Sequence, residues 1–96
     1  PAVIAVLASK ECRTYLYDGS LVMGNLMNAA HSLGVASCWI HRAKEIFESE
    51  EGLRMLEKWG IRGNYEGIGF CILGYPADPA PKEPKPRKAD YIHYVR

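Results

Sequence analysis

The stretch 18–33 is helix-forming and apolar around most of its circumference. Leu21, Val22, Met23, Leu26, Met27, Ala29, Ala30 and Leu33 leave only Gly24, Asn25, Asn28, His31 and Ser32 as a narrow polar stripe at three- to four-residue spacing. A surface helix of a small monomer has one apolar face and one polar face. This helix therefore belongs in the centre of a larger body or in a subunit interface. Asp18 is expected as its N-cap and Gly34 as its C-terminal stop. Asn28 and His31 are read as polar groups satisfied within that interface rather than as catalytic groups.

Two strand-like runs ask for equally deep burial. Residues 2–8 form a continuous apolar run with three β-branched members, and residues 68–73 form another. Runs apolar at every position, without polar alternation, suit strands covered on both faces, in the middle of a sheet. Residues 9–17 are polar and mixed, expected as a loop or a short turn. A second short strand is expected at 35–40. Helical pieces follow at 43–47 and 50–59, the latter capped by Ser49, favoured by Glu50 and Glu51 in its first turn, and closed by Gly60. Leu53, Leu56 and Trp59 share one face of that amphipathic helix. Residues 61–66 are expected as a loop, and Gly74-Tyr75-Pro76 ends the strand at 68–73.

The composition changes beyond residue 75. Five of the six prolines stand at 76, 79, 81, 84 and 86, among Lys82, Lys85, Arg87 and Lys88. Proline at that density excludes helix and inner strand, so 76–88 is expected as an extended arm. Residues 91–95, Tyr-Ile-His-Tyr-Val, have strand composition and need a sheet edge to join, which another chain would supply. The expected organisation is a core over 1–75 and an arm with a terminal strand over 76–96. Two doubly buried strands and one all-round apolar helix demand more covering layers than 96 residues contain. The sequence asks for more protein: a missing half or a partner subunit. The direct opening of Pro1 into a strand fits a gene product after Met removal and a fragment of something longer equally well.

Charge and cysteines narrow the function classes. A net charge of +1 provides no field to draw in nucleic acid or an anionic membrane. Apolar runs stay well under the ~20 residues needed to span a bilayer, and no segment has a signal-peptide pattern. Cys12, Cys38 and Cys71 are odd in number and widely spaced, with no CxxC. They are expected to be reduced, which points to the cytoplasm. The glycines at 63 and 67 make no GxGxxG fingerprint, and no phosphate-binding loop or Ser/His/Asp set is present.

Three stretches together resemble the nitroreductase family. Residues 18–40, DGSLVMGNLMNAAHSLGVASCWI, are similar to its long apolar helix, Leu-Gly turn and following strand beside the flavin. Residues 68–76, IGFCILGYP, are similar to its next central strand with a closing Gly-x-Pro. Residues 85–88, KPRK, resemble the basic segment that holds the flavin phosphate. The resemblance spans nearly the whole chain. Family members are about twice as long, and the Arg-rich segment of their N-terminal half has no counterpart here, so the chain resembles the C-terminal half only.

The resemblance implies an α+β sandwich fragment with a central mixed sheet flanked by helices. It also implies a homodimer with two FMN sites at the subunit interface and exchanged C-terminal segments. Hydride would pass from NAD(P)H to the flavin and on to a nitroaromatic, a quinone or a similar small-molecule acceptor. The cofactor carries that chemistry, so binding residues are sought rather than an acid–base pair. Lys85 and Arg87 are the phosphate candidates, against the plainer reading of a solvated basic linker. Ser37, Cys38, Trp39, Ile40 and His41 are the candidates beside the isoalloxazine ring, against the reading that Cys38 and Ile40 are core and His41 is surface. Some relatives carry an acidic residue and a glycine where His41 and Arg42 stand. Two other readings are a flavin-storage protein without turnover and an interaction module built on Pro81-x-x-Pro84.

Overall fold

A computed structural model describes residues 1–78 and 82–96. The prolines at 79 and 81, and with them the start of the Pro81-x-x-Pro84 motif, lie outside the described residues. The elements are β1 (Ala2–Ser9), α1 (Tyr15–Ser32), β2 (Ala36–Ile40), α2 (Ala43–Glu48), α3 (Glu50–Lys58) and β3 (Tyr65–Gly74). The strands form one sheet in the order β1-β3-β2, and both pairings are antiparallel. The sheet expected as mixed is thus antiparallel within this chain, and helices flank it to give the expected α+β fragment.

The apolar run of β3 does mark a central strand, covered on both faces over most of its length. The run of β1 is different. It lies at an edge of the three-stranded sheet, and residues 2–5 are exposed. Among the described residues nothing covers this part of the run.

Residues directly opposite across a ladder share a face, so the register sorts the sheet into rows. Toward α1 lie Ala2, Leu73 and Ser37, then Ile4, Cys71 and Trp39, then Val6 and Gly69. Met23 and Cys71 are fully buried there, with Val6 and Ile68, and Leu26, Met27 and Trp39 pack around them. On the opposite face Ala43, Phe47 and Leu56 of α2 and α3 pack with Leu7, Ile61 and Phe70. Each of these large side chains contributes roughly 1.5–3 kcal/mol by leaving water.

The register slips between Val6, opposite Gly69, and Leu7, opposite Gly67. Ile68 is the extra residue of a β-bulge. It joins the α1-side core, and a Cβ on Gly69 would also meet side chains on that side, the indole of Trp39 and the Met23 methyl. Two successive residues facing the same way is what a bulge produces.

Helix α1 starts one turn earlier than expected. Asp18 sits inside its first turn, where its amide bonds the Thr14 carbonyl at 2.9 Å and its carboxylate accepts the Thr14 hydroxyl at 2.9 Å. A carboxylate there still suits the positive end of the helix. Gly34 follows the helix with φ of 73°, as a C-terminal stop requires. The buried stripe is Gly19, Met23 and Ala30, while Tyr17, Leu21, Val22 and Leu33 are exposed. In α3 the expected cap holds: the Ser49 hydroxyl accepts the Gly52 amide at 3.1 Å.

Residues 82–88 carry neither helix nor strand and are exposed, as expected of an arm. Residues 91–95, expected as a strand, are irregular and exposed. A strand needs an edge to pair with, and among the described residues the segment meets none. The radius of gyration, 16.8 Å, exceeds the ~13 Å of a compact chain of this length. Among the described residues, no helix is long and apolar enough to cross a membrane.

The crowding at Gly69 yields a stability prediction. Gly69→Ala should lower unfolding stability by about 1–3 kcal/mol, because the added methyl runs into the Trp39 indole. Gly24→Ala, with open space around the new methyl, should raise it by about 0.5–1 kcal/mol. Urea unfolding followed by tryptophan fluorescence checks both. Equal midpoints for the two variants would refute the crowding argument.

Candidate functional site

The five-residue stretch from Ser37 to His41 does not line one cavity. Side chains alternate across a strand, so β2 divides its residues between the two faces. Ser37 and Trp39 are half-buried toward α1, whereas Cys38 and Ile40 are exposed on the opposite face. His41 follows the strand and is exposed.

Trp39 is held by specific contacts. Its Nε1–H donates to the carbonyl oxygen of Ile68 at 3.2 Å. Ile68 is the residue without an opposite partner on β1, and the indole bonds its carbonyl from the β2 side. Its ring lies 6.2 Å from the His41 ring at 52°. The ring packs on the core and its rim lines a cavity, while Cys38 and Ile40, offered as core on the plainer reading, are exposed in this chain.

That cavity, about 360 Å³, is bordered by Trp39, His41, Ser20, Lys44, Glu66 and Ile68. The volume lies within the range of small-molecule sites, and its mix of an apolar floor with a few polar groups matches their anatomy. A second groove of about 440 Å³ involves Ser37 and Cys38 with Val3, Ile72 and Tyr75. Its lining is almost wholly apolar, without the convergent polar groups that orient a small ligand.

Glu66 was missed by sequence reasoning, which placed it in a loop. It lies in β3 and is 7% exposed. Its Oε1 accepts the Tyr15 hydroxyl at 3.3 Å and lies 3.9 Å from Lys10 Nζ. Burial, then the Glu66 charge, raise the Tyr15 pKa above the ordinary phenol value. Lys44 donates to Glu48 at 2.8 Å. That bond raises the Lys44 pKa and lowers that of Glu48. A signal for Glu66 existed in its place directly before the apolar run. Its partner Tyr15, 51 positions away, left no trace in local pattern.

β2 is the last strand in the sheet order. Its outer edge therefore offers backbone N–H and C=O groups to a ligand or another segment. Planar heteroaromatic rings with donors and acceptors on their rim suit such an edge beside an aromatic side chain. Lys85 and Arg87 are exposed on the arm. No ion pair is recorded for either among the described residues, and they do not line either cavity. The ring-side candidates and the phosphate candidates are not brought together within this single chain.

No family model matches the chain, and no curated protein is significantly similar to it in sequence. Among solved structures it is similar to a nitroreductase with bound FMN from Bacteroides fragilis, at a TM-score of 0.85 and 30% identity. That match covers 100% of this chain and 51% of the other. This chain has about half of the nitroreductase fold. Two further structures share the nitroreductase fold at a TM-score of 0.66 and 24% identity, each covering 96% of this chain. One, described as an NADH dehydrogenase/NAD(P)H nitroreductase from Bacteroides thetaiotaomicron, is 53% covered. The other, an FMN-dependent nitroreductase from Clostridium difficile, is 56% covered. The chain thus spans about half the length of the nitroreductases it matches, consistent with the expected C-terminal half.

Two outcomes follow from the Trp39 and Tyr15 contacts. Trp39→Phe removes the indole donor from the Ile68 carbonyl and should cost about 1–3 kcal/mol in urea unfolding; no loss would sink the hydrogen bond. For Tyr15 the folded pKa lies above the unfolded one. Its contribution is fully present below the ordinary phenol pKa, about 10, and is lost as pH rises through the folded value. Tyr15→Phe should therefore remove a phenolate step lying above the ordinary phenol range from an alkaline absorbance titration, and the wild-type chain should lose more stability than the variant across that step.

Proposed function

We propose that this chain is the C-terminal half of an FMN-dependent oxidoreductase that uses NAD(P)H. The observation that carries the proposal is the likeness to an FMN-bound nitroreductase over its full length. Supporting it is the open edge of β2 beside a cavity floored by Trp39. Bound FMN supplies two-electron chemistry, accepting hydride from a nicotinamide and passing it to an acceptor.

In this reading the chain's own residues bind and position. Backbone groups from Ser37 to His41 hydrogen-bond the rim of the isoalloxazine along the free edge of β2. Trp39 gives that end of the strand an apolar wall, Ile40, like Cys38, supplies backbone contacts only, and His41 closes the cavity. Cys38 supplies backbone contacts only, since its side chain lies on the opposite face. Lys85 and Arg87 bind the phosphate, Arg87 as a two-pronged donor and Lys85 as a point charge. The prolines around them keep the arm extended. In this proposal the arm and residues 91–95 cross to a second copy in a homodimer, where the terminal segment gains the sheet edge it lacks here. The acceptor is a nitroaromatic, a quinone or another small electrophile, and the protein works in the cytoplasm.

The test is anaerobic addition of NADH and then NADPH to the flavin-loaded whole protein. Bleaching of the yellow absorbance by either supports turnover. Flavin that binds but never bleaches would instead support storage. Arg87→Ala should weaken FMN binding by roughly tenfold or more, the loss of one charge-assisted contact of about 1.5–3 kcal/mol. Fluorescence titration with FMN reads this. Unchanged affinity in both Lys85→Ala and Arg87→Ala would remove the arm from the site.

A further inference from the structure

The side chains that could donate hydrogen bonds into the cavity beside Trp39 are largely committed elsewhere. The Trp39 Nε1–H donates to the Ile68 carbonyl at 3.2 Å. The Ser20 hydroxyl donates to the Leu16 carbonyl at 2.7 Å, and the Lys44 ammonium donates to Glu48 at 2.8 Å. Two carboxylates also line the cavity, Glu45 and Glu66. His41 stands at the rim with its ring 6.2 Å from the indole, and its imidazole gives or takes a bond. The cavity therefore offers a ligand acceptors and negative charge more than donors.

Glu66 is the deeper of the two carboxylates. Its side chain is 8% exposed, and a glutamate is rarely buried so far unless it is paired. The Tyr15 hydroxyl at 3.3 Å and Lys10 Nζ at 3.9 Å both approach Oε1. The phenol is neutral, and the ammonium stands at the outer limit of an ion pair. Oε2 is left to a ligand, and a buried carboxylate gains most from a donor that carries positive charge. The Trp39 ring beside it attracts the same kind of ligand through its face. One ring in the proposed reaction has that character. A dihydronicotinamide that gives its hydride to the flavin is left as a pyridinium cation, with the N–H groups of its carboxamide. Nitroaromatics and quinones instead present oxygens of partial negative charge, and a site whose buried acceptor would face such oxygens rejects them.

We infer that Glu66 and Trp39 make this cavity selective for a cationic, N–H-bearing heteroaromatic ring, the oxidised nicotinamide, and close it to the electron acceptor. The inference rests on the reading of the chain as part of an NAD(P)H-dependent flavin enzyme. It deepens that reading by giving the cavity to one of the two substrates, while the flavin ring lies along the free edge of β2. Glu66 is the specificity-determining residue, because it supplies the charge that separates a pyridinium from a nitro or quinone oxygen.

The experiment titrates the 96-residue chain without flavin. It carries Trp59→Phe, so that Trp39 is the sole indole. The probe is nicotinamide methylated on its ring nitrogen, and the readout is indole fluorescence. The expected result is saturable quenching, with affinity roughly tenfold lower or worse in Glu66→Gln, the loss of a charge-assisted contact. Nicotinate, the same ring with a carboxylate, should bind at least as much more weakly. The nicotinate comparison uses no change at Glu66, so it decides the matter even where Glu66→Gln does not fold. Absence of saturable quenching, equal affinity for the cation and nicotinate, or unchanged affinity in a folded Glu66→Gln overturns the inference. So does methylguanidinium binding as tightly as the ring, which gives the cavity to an arginine side chain. Flavin-loaded protein that NADH bleaches, with no discrimination among the probes, fails only this inference. Discrimination as expected, with bound flavin that never bleaches, fails only the functional reading.

Discussion

The bulge at Ile68 organises the centre of this molecule. An extra residue in the middle strand has no opposite partner on β1, and the Trp39 indole donates to its carbonyl at 3.2 Å. Only glycine at 69 leaves room for that ring. The same insertion turns Ile68 toward α1, where it presses on Gly19 and joins Met23 and Cys71 in the buried core. A bend in one strand thus ties β2, β3 and α1 together at a point that also borders the candidate cofactor cavity. A cavity wall fixed by core packing is better preorganised than one carried on a loop.

Much of the fold is legible in the sequence because hydrophobic pattern reports burial. The helix at 15–32, the strand at 36–40 and the central strand at 65–74 all follow from runs whose period or continuity is strong. The departures have physical reasons. Asp18 looks like a cap because short acidic residues favour that position, yet Thr14 and Tyr15 already lie in or beside the helix. Leu16 and Tyr17 are exposed in the isolated chain and so add no periodic signal. The apolar run of β1 reads as a doubly covered strand, but among the described residues 2–5 are exposed at the sheet edge. Hydrophobic pattern reports how much burial a strand suits, and this chain alone does not supply it.

The site was legible as a segment and not as an arrangement. Strand alternation separates Cys38 from Trp39, and nothing in the local sequence says which face receives which. The buried Glu66 with Tyr15 and Lys10 joins the ends of two elements far apart in the chain, so no spacing rule reveals it. Lys85 and Arg87 stand on an arm whose position depends on what it meets. Similarly, residues 91–95 have strand composition without a strand, because β-structure is a property of a pair and not of a segment.

The open outer edges of β1 and β2 carry a cost while the half-fold stands alone. Each presents a row of unpaired backbone groups, and between them lies an uncovered apolar face. That combination is a template for adding further strands from any exposed hydrophobic segment nearby. Left open, such edges and such a face invite association and proteolysis, and the lifetime of the 96-residue chain depends on how quickly they are occupied.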